Sequence, residues 1–266
     1  KEIICKSINK YQNLRMLVIH YLRNLFMIII NTLYFLTFMT TKKSKKAKDS
    51  FEYLNLNKEQ LIYYDFETTG LNIFHDKIIE YAFYKENTLE DQSKAMKECH
   101  YITSLVNPNR KFEYIITQIT GIRPEELESQ EPIENHVSKI SDFLTIPKGT
   151  VPYLVAHNGS GFDDFFLKRI LSDTPEYKEL KANWRFIDTI HLAKKIARTK
   201  NLRKYSLKAL AEHYGIKEGT HRALSDVTTL REVYKALVND LSKELCIPFT
   251  DVLNDPKGVY EWLYDF

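Results

Sequence analysis

The sequence predicts an α/β domain over residues 58–242, built as a mixed sheet with helices on both faces. Three observations point there. Three strand-like runs follow one another between residues 60 and 108. Beyond residue 120, helical periodicities alternate with short apolar runs. Acidic residues stand where several of those runs end, which is unusual for a simple core.

Residues 60–66 read as the first strand, and Gly70 and Asn72 mark the turn after it. "KIIEYAFYKE" reads as the second strand and "HYITSLVNP" as the third, closed by Asn107-Pro108, which makes three successive antiparallel strands. "TGIRPEELESQ" carries a helix start, with Pro124 followed by acids in the first turn. "PIENHVSKISDFLTI" places Ile133, Val137, Ile140, Phe143 and Leu144 at helical spacing. "TVPYLVAHN" is a buried strand with a polar tip, and "FDDFFLKRIL" begins a helix. "WRFIDTIHLAKKIA" runs from a short strand into a helix, and "YSLKALAEHYGI" is an amphipathic helix ending at Gly215. "HRALSDVTTLREVYKALVNDL" closes the core with a long helix. The aromatic-rich residues 243–266 form a C-terminal extension that packs back on the domain.

Residues 1–57 stand apart. From Asn24 to Thr41 there are 18 uncharged residues, near the lower limit of roughly 17–25 for a bilayer span. Asn31, Thr32 and Thr37 dilute the stretch, and Lys42, Lys43, Lys45, Lys46 and Lys48 follow it. Two readings stay open: a membrane anchor over residues 24–41, or a leader outside the native protein, with Met39 as the start and a solvated basic tail. A net charge of +3 permits an anionic partner without demanding one. Cys5, Cys99 and Cys246 are odd in number and scattered, which argues against a zinc site or disulfide framework and for free thiols in a reducing interior, cytoplasmic or nuclear.

"LIYYDFETTGLN" carries the chemistry. Residues two apart on a strand share a face, so Asp65 and Glu67 stand side by side at the end of an apolar strand. Two neighbouring anions repel, and burial raises the cost of keeping both charged, so a cation belongs between them. Further oxygen ligands lie at the ends of other elements: Asp163 or Asp164 at a helix start, and Asp226 in the last long helix. His221 precedes Asp226 by five residues, which in a helix would leave the side chains about 140° apart. Asp226 therefore belongs on the helix and His221 on the loop before it. Histidine side chains titrate near neutrality, so one there can take a proton. Carboxylates without cysteine suit Mg²⁺ or Mn²⁺, and two such ions about 3.5–4 Å apart can hold the attacking water and leaving oxygen of a phosphodiester. Singly, each feature reads more simply as a surface acid pair, a helix cap or a helix N-terminal acid. Their value lies in three separate elements supplying one chemistry.

With "YYDFETTGL", "LVAHNGSGFDDFFL" and "HRALSDV" in this order, residues 58–240 resemble the DEDDh-type 3′–5′ exonucleases, the DnaQ-like superfamily that includes ribonuclease T and the TREX-like nucleases. The resemblance implies a ribonuclease H-like fold, Asp65, Glu67, Asp163 and Asp226 as ligands of two divalent ions, and His221 as general base. It implies release of nucleoside 5′-monophosphates from single-stranded or frayed 3′ ends of DNA or RNA. Thr68, Thr69, Gly70 and Leu71 would line the pocket of the terminal nucleotide, with Asn158 and Phe162 shaping the second motif. The doubled acid departs from the family pattern; the spacing from Asn158 selects Asp163 over Asp164. His157 and His191 read as structural. Proofreading would draw on a polymerase partner, and a homodimer is the other protein partnership the family implies. The alternative function is a catalytically idle nucleic-acid-binding or adaptor module of the same fold.

Overall fold

The computed structural model describes residues 59–86, 100–147, 149–174, 177–196 and 202–264. Of two compact units, the one spanning residues 57–243 and 247–266 carries the sheet and everything that follows. Of the other, the described residues are the end of the last long helix and Cys246, an exposed cysteine outside any disulfide. Cys5, Cys99, the apolar stretch 24–41 and the lysine run lie outside the described residues. The membrane association expected of residues 24–41 is not carried forward: no helix among the described residues is long and apolar enough to cross a membrane, and residues 24–41 lie outside them. An 18-residue run broken by Asn31, Thr32 and Thr37 is also marginal for a hydrocarbon core about 30 Å thick.

The sheet has five strands in the order β3-β2-β1-β4-β5, with β1 (Glu59–Thr68) at its centre. β2 (Ile78–Lys85) pairs antiparallel with β1, and β3 (Tyr101–Leu105) antiparallel with β2. β4 (Val151–Ala156) runs parallel to β1, and β5 (Arg185–Asp188) parallel to β4. This mixed sheet with helices on both faces is the ribonuclease H-like arrangement. Strands buried on both sides need continuous apolar runs, and Leu61, Ile62, Tyr63 and Tyr64 are all buried.

Alternation along β1 sorts its side chains. Ile62, Tyr64 and Phe66 enter one core with Phe83, Ile140, Leu144, Phe166 and Leu167. That core lies beneath α3 (Val137–Leu144) and α4 (Asp163–Leu171). Tyr63 faces the other way and meets Tyr234 edge-on, with ring centroids 5.8 Å apart. Tyr234 belongs to α8 (Ala223–Leu245), the long helix that covers this second face. Each fully buried large side chain contributes about 1.5–3 kcal/mol of transfer free energy. Asp65 and Glu67 share the Tyr63 face, so the apolar packing of β1 gives way to charge at its C-terminal end. There the ladder slips between Glu67 and Thr68, a bulge of the kind that re-aims side chains beside a site.

Two helices fall where neither periodicity nor capping residues mark one. α1 (Tyr114–Thr120) is rich in β-branched residues, which weakens helical propensity, and it stops at Gly121 with φ 71°. α5 (Tyr177–Asn183) precedes β5. α2 (Pro124–Leu127) starts on proline as expected, and the Glu126 carboxylate accepts the Arg123 N–H at 3.0 Å. Ile133–His136 forms a 3₁₀ turn ahead of α3. α6 (Thr189–Ile196) follows β5 directly, and α7 (Leu207–Tyr214) ends at Gly215 with φ 66°. The C-terminal residues form α9 (Phe249–Leu253) and α10 (Pro256–Tyr264). α10 lies along the sheet: the Lys257 N–H donates to Glu59 at 3.1 Å, and the Asp188 N–H donates to the Tyr264 hydroxyl at 3.3 Å.

Candidate active site

Three elements converge at the C-terminal end of β1. The carboxylates of Asp65, Glu67 and Asp226 each offer an oxygen within 4.8 Å of the others. Asp226 sits in the first turn of α8, where the helix dipole favours an anion. A Cβ at Gly219 would collide with the Asp226 carboxylate, so only glycine lets the approaching loop lie this close.

Asp163 lies outside that triad but adjoins it. Its Oδ1 accepts the Phe66 N–H at 3.1 Å, between the two acids of β1 in sequence. Asp164 is directed elsewhere: the Tyr64 hydroxyl donates to it, and Lys168 lies 3.9 Å away. Tyr64 and Asp65 point to opposite faces of β1, so the doubled acid is divided between the core and the site.

Repulsion is legible in the acids. Burial, then the charges of Asp163, Glu67 and Asp226, push the Asp65 carboxyl well above the usual carboxylate range. Glu67 is pushed up to about 8 by burial and by Asp226, Glu80 and Asp163, with Arg222 opposing. Burial likewise pushes Asp163 up to about 8, against the Phe66 N–H that favours its anion. Asp226 rises by burial, partly offset by His221, whose charge and backbone N–H both favour the anion. The donor set is therefore oxygen-rich, crowded and short of positive charge, and it fits a hard divalent cation.

His221 is exposed, with φ 52°, on the loop just before α8. The remaining sequence-selected residues serve the loops. The Thr68 hydroxyl donates to the Gly70 carbonyl at 2.6 Å, and that of Thr69 donates to Asp76 at 2.8 Å. Arg169 ties the same loop down, donating to the carbonyls of Ile73 and Asp76 at 2.6 Å each. Leu71 is 86% exposed at the loop's tip and Phe74 78%. Asn158 has φ 63°, and its N–H donates to Asp188 at 3.0 Å; Phe162 packs on Phe166 at 4.9 Å between ring centroids. His157 bonds Thr189 at 2.8 Å, and His191 meets Tyr264 edge-on. Neither belongs to the carboxylate triad.

Residues 62–234 match the sequence model of the RNase_T exonuclease family. The chain belongs to this exonuclease family. Among relatives, it is 30% identical over 201 residues to the PolC-type DNA polymerase III of Clostridium perfringens, covering 74% of this chain and 12% of the polymerase. It is 32% identical over 197 residues to the chloroplastic/mitochondrial exonuclease DPD1 of Arabidopsis thaliana, covering 68% of this chain and 57% of DPD1. Among solved structures, the zinc-bound complex of E. coli ExoI with single-stranded DNA superimposes with a TM-score of 0.56 at 20% identity. That match covers 71% of this chain and 42% of ExoI, and it speaks to the fold.

The fold also uses residues that sequence reasoning passed over. Glu80 is a lone acid inside the apolar strand "IIEYAFY", the same signal that marks Asp65. Asp188 accepts the N–H groups of Asn158, Ser160 and Ile190, holding the second-motif loop to β5. Asp76 holds the loop after β1, and a Cβ on Gly70 would strike its carboxylate. These acids are invisible as a group in the sequence because each one's partners are distant or are backbone amides.

Proposed function

We propose that this exonuclease removes nucleoside 5′-monophosphates, one at a time, from single-stranded or frayed 3′ ends, with Mg²⁺ or Mn²⁺ as cofactor. The observation that carries the reading is the crowded triad of Asp65, Glu67 and Asp226 beside the loop that presents His221. Asp65, Glu67 and Asp226 would hold the ions, with Asp163 completing the set. Bound there, divalent ions supply Lewis-acid stabilisation of the charge that builds on the phosphate. His221 takes the proton of the attacking water; its exposed loop position leaves room for that water and a path to solvent. The bulge after Glu67 turns Thr68, Thr69, Gly70 and Leu71 toward the terminal nucleotide. The buried Thr68 and Thr69 hydroxyls are spent within the loop, so recognition falls to backbone groups and the exposed Leu71 side chain.

Catalysis is assigned to residues 58–242, with residues 1–57 and 243–266 as extensions. The relatives named as DNA polymerases, and ExoI solved with single-stranded DNA, favour DNA ends and action alongside a polymerase. The test is a time course on 5′-labelled single-stranded DNA and RNA with Mg²⁺, Mn²⁺ or chelator. A metal-dependent ladder shortening from the 3′ end supports the reading and gives the preferred sugar. Binding without cleavage would replace it with the idle-module reading.

A further inference from the structure

Glu80 stands opposite Glu67 across the β1–β2 ladder. Like charges placed directly opposite destabilise a sheet, and Glu80 is only 5% exposed. Its position needs an explanation, and its partners provide one. Arg222 grips the Glu80 carboxylate through Nε at 3.1 and 3.2 Å and through Nη2 at 2.8 Å. The same carboxylate accepts the Ala223 N–H at 2.9 Å. Ala223 is the first residue of α8, so a strand residue more than a hundred positions upstream satisfies an N–H that the helix itself leaves unpaired.

These contacts bracket the loop that carries His221. On one side of His221, Gly219 lies against Asp226; on the other, Arg222 and Ala223 are bound to β2. His221 itself has φ 52°, a left-handed conformation that a non-glycine residue adopts at a cost. Such a conformation persists where its surroundings fix it. A bidentate guanidinium–carboxylate pair fixes direction as well as distance.

We propose that Glu80 and Arg222 form a positioning device that clamps the α8 entry loop to β2 and so holds His221 in its reactive place. This rests on the exonuclease reading for its kinetic part only; the clamping of the loop stands apart from it. Glu80 stands opposite Glu67 but is not one of the three clustered carboxylates, and its hydrogen bonds go to Arg222 and Ala223, so its positioning effect runs through the loop that carries His221. A displacement of about 1 Å in such a group can cost 10²-fold in rate.

The experiment compares wild type with Glu80→Gln, Arg222→Gln and His221→Ala, and with Glu80→Gln combined with His221→Ala. In the full-length protein, kcat, KM for a 5′-labelled oligonucleotide, Mn²⁺ affinity and amide hydrogen exchange over residues 219–226 are read together. Glu80→Gln and Arg222→Gln should each lower kcat by about 10²-fold. KM should stay unchanged, Mn²⁺ affinity should change far less than kcat, and amide protection should fall at Arg222 and Ala223. In the His221→Ala background, Glu80→Gln should lower kcat no further. Wild-type kcat in both single variants would overturn the proposal, and so would a loss of the same size in the His221→Ala background. Should Glu80→Gln fail to fold, Arg222→Gln, alone and combined with His221→Ala, decides on the same criteria because the Arg222 side chain is partly exposed. An inactive wild type would end the exonuclease reading, and exchange would then decide: local loss of protection upholds the clamp, and unchanged protection overturns it.

Discussion

Two sets of carboxylates stand where the sheet meets α8, and they are treated in opposite ways. Glu86, just past the end of β2, is gripped by Arg231 through two bonds of 2.6 Å, with Lys235 3.5 Å away. Glu80 has Arg222 and a helix N–H. Asp65, Glu67 and Asp226 crowd within 4.8 Å with no comparable grip, and burial first, then mutual repulsion, favours their protonated forms. Matched acids hold helix to strand. Unmatched acids, set at the end of a central strand, form a cluster capable of coordinating a divalent cation. Position alone would not have separated the two sets; their counter-charges do.

The sharpest way to break this contrast is to remove a charge from each set. Asp65→Ala or Asp226→Ala should reduce nuclease activity to the level of the chelated protein while the fold persists, because losing one anion relieves repulsion. Turnover left intact in a folded variant would mean the triad is not the metal site. Next in size, His221→Ala should slow hydrolysis by roughly 10²–10⁴-fold with Mn²⁺ affinity retained. A loss below tenfold would assign the proton to another acceptor.

The doubled acid offers the same contrast at neighbouring positions. Asp163→Asn should cost most of the activity. Asp164→Asn, whose carboxylate is held by Tyr64 on the other side of the strand, should keep activity and lose some stability. Parallel assays and melts of the two variants settle which acid faces the site; a reversed ranking would exchange their roles.

The unmatched acids also give a pH signature. Glu67 titrates near 8 in the fold against 4.5 for a free glutamate, so the folded state holds more protons than the unfolded chain between those values. The metal-free protein should therefore lose stability as pH rises from about 4.5 to 8. Added divalent ions should restore more of it at pH 8 than at pH 5. Melts at both pH values, with and without Mn²⁺, check this, and metal-free stability that climbs over the same range would contradict it. The smallest effect belongs to the matched set: Arg231→Ala should lower stability by about 1–3 kcal/mol and leave Mn²⁺ affinity alone.

Much of this was legible before any coordinates. The strand–helix alternation placed all five strands, and the parity of positions 65 and 67 put both acids on one face. The spacing of His221 and Asp226 excluded a shared helical face, and the loop-plus-helix arrangement is what the fold contains. α1 escaped notice because "YIITQIT" is a poor helix former held by tertiary context and by Gly121. Glu80, Asp76 and Asp188 escaped because hydrogen-bonding partners distant in sequence leave no periodic trace.

The most direct test of the central contrast is Mn²⁺ titration, with free ion followed by electron paramagnetic resonance, on wild type, Asp65→Asn and Glu86→Gln. Binding by wild type and Glu86→Gln, with loss in Asp65→Asn, is the predicted result. Undiminished binding in Asp65→Asn would show that the unmatched acids are not where the metal goes.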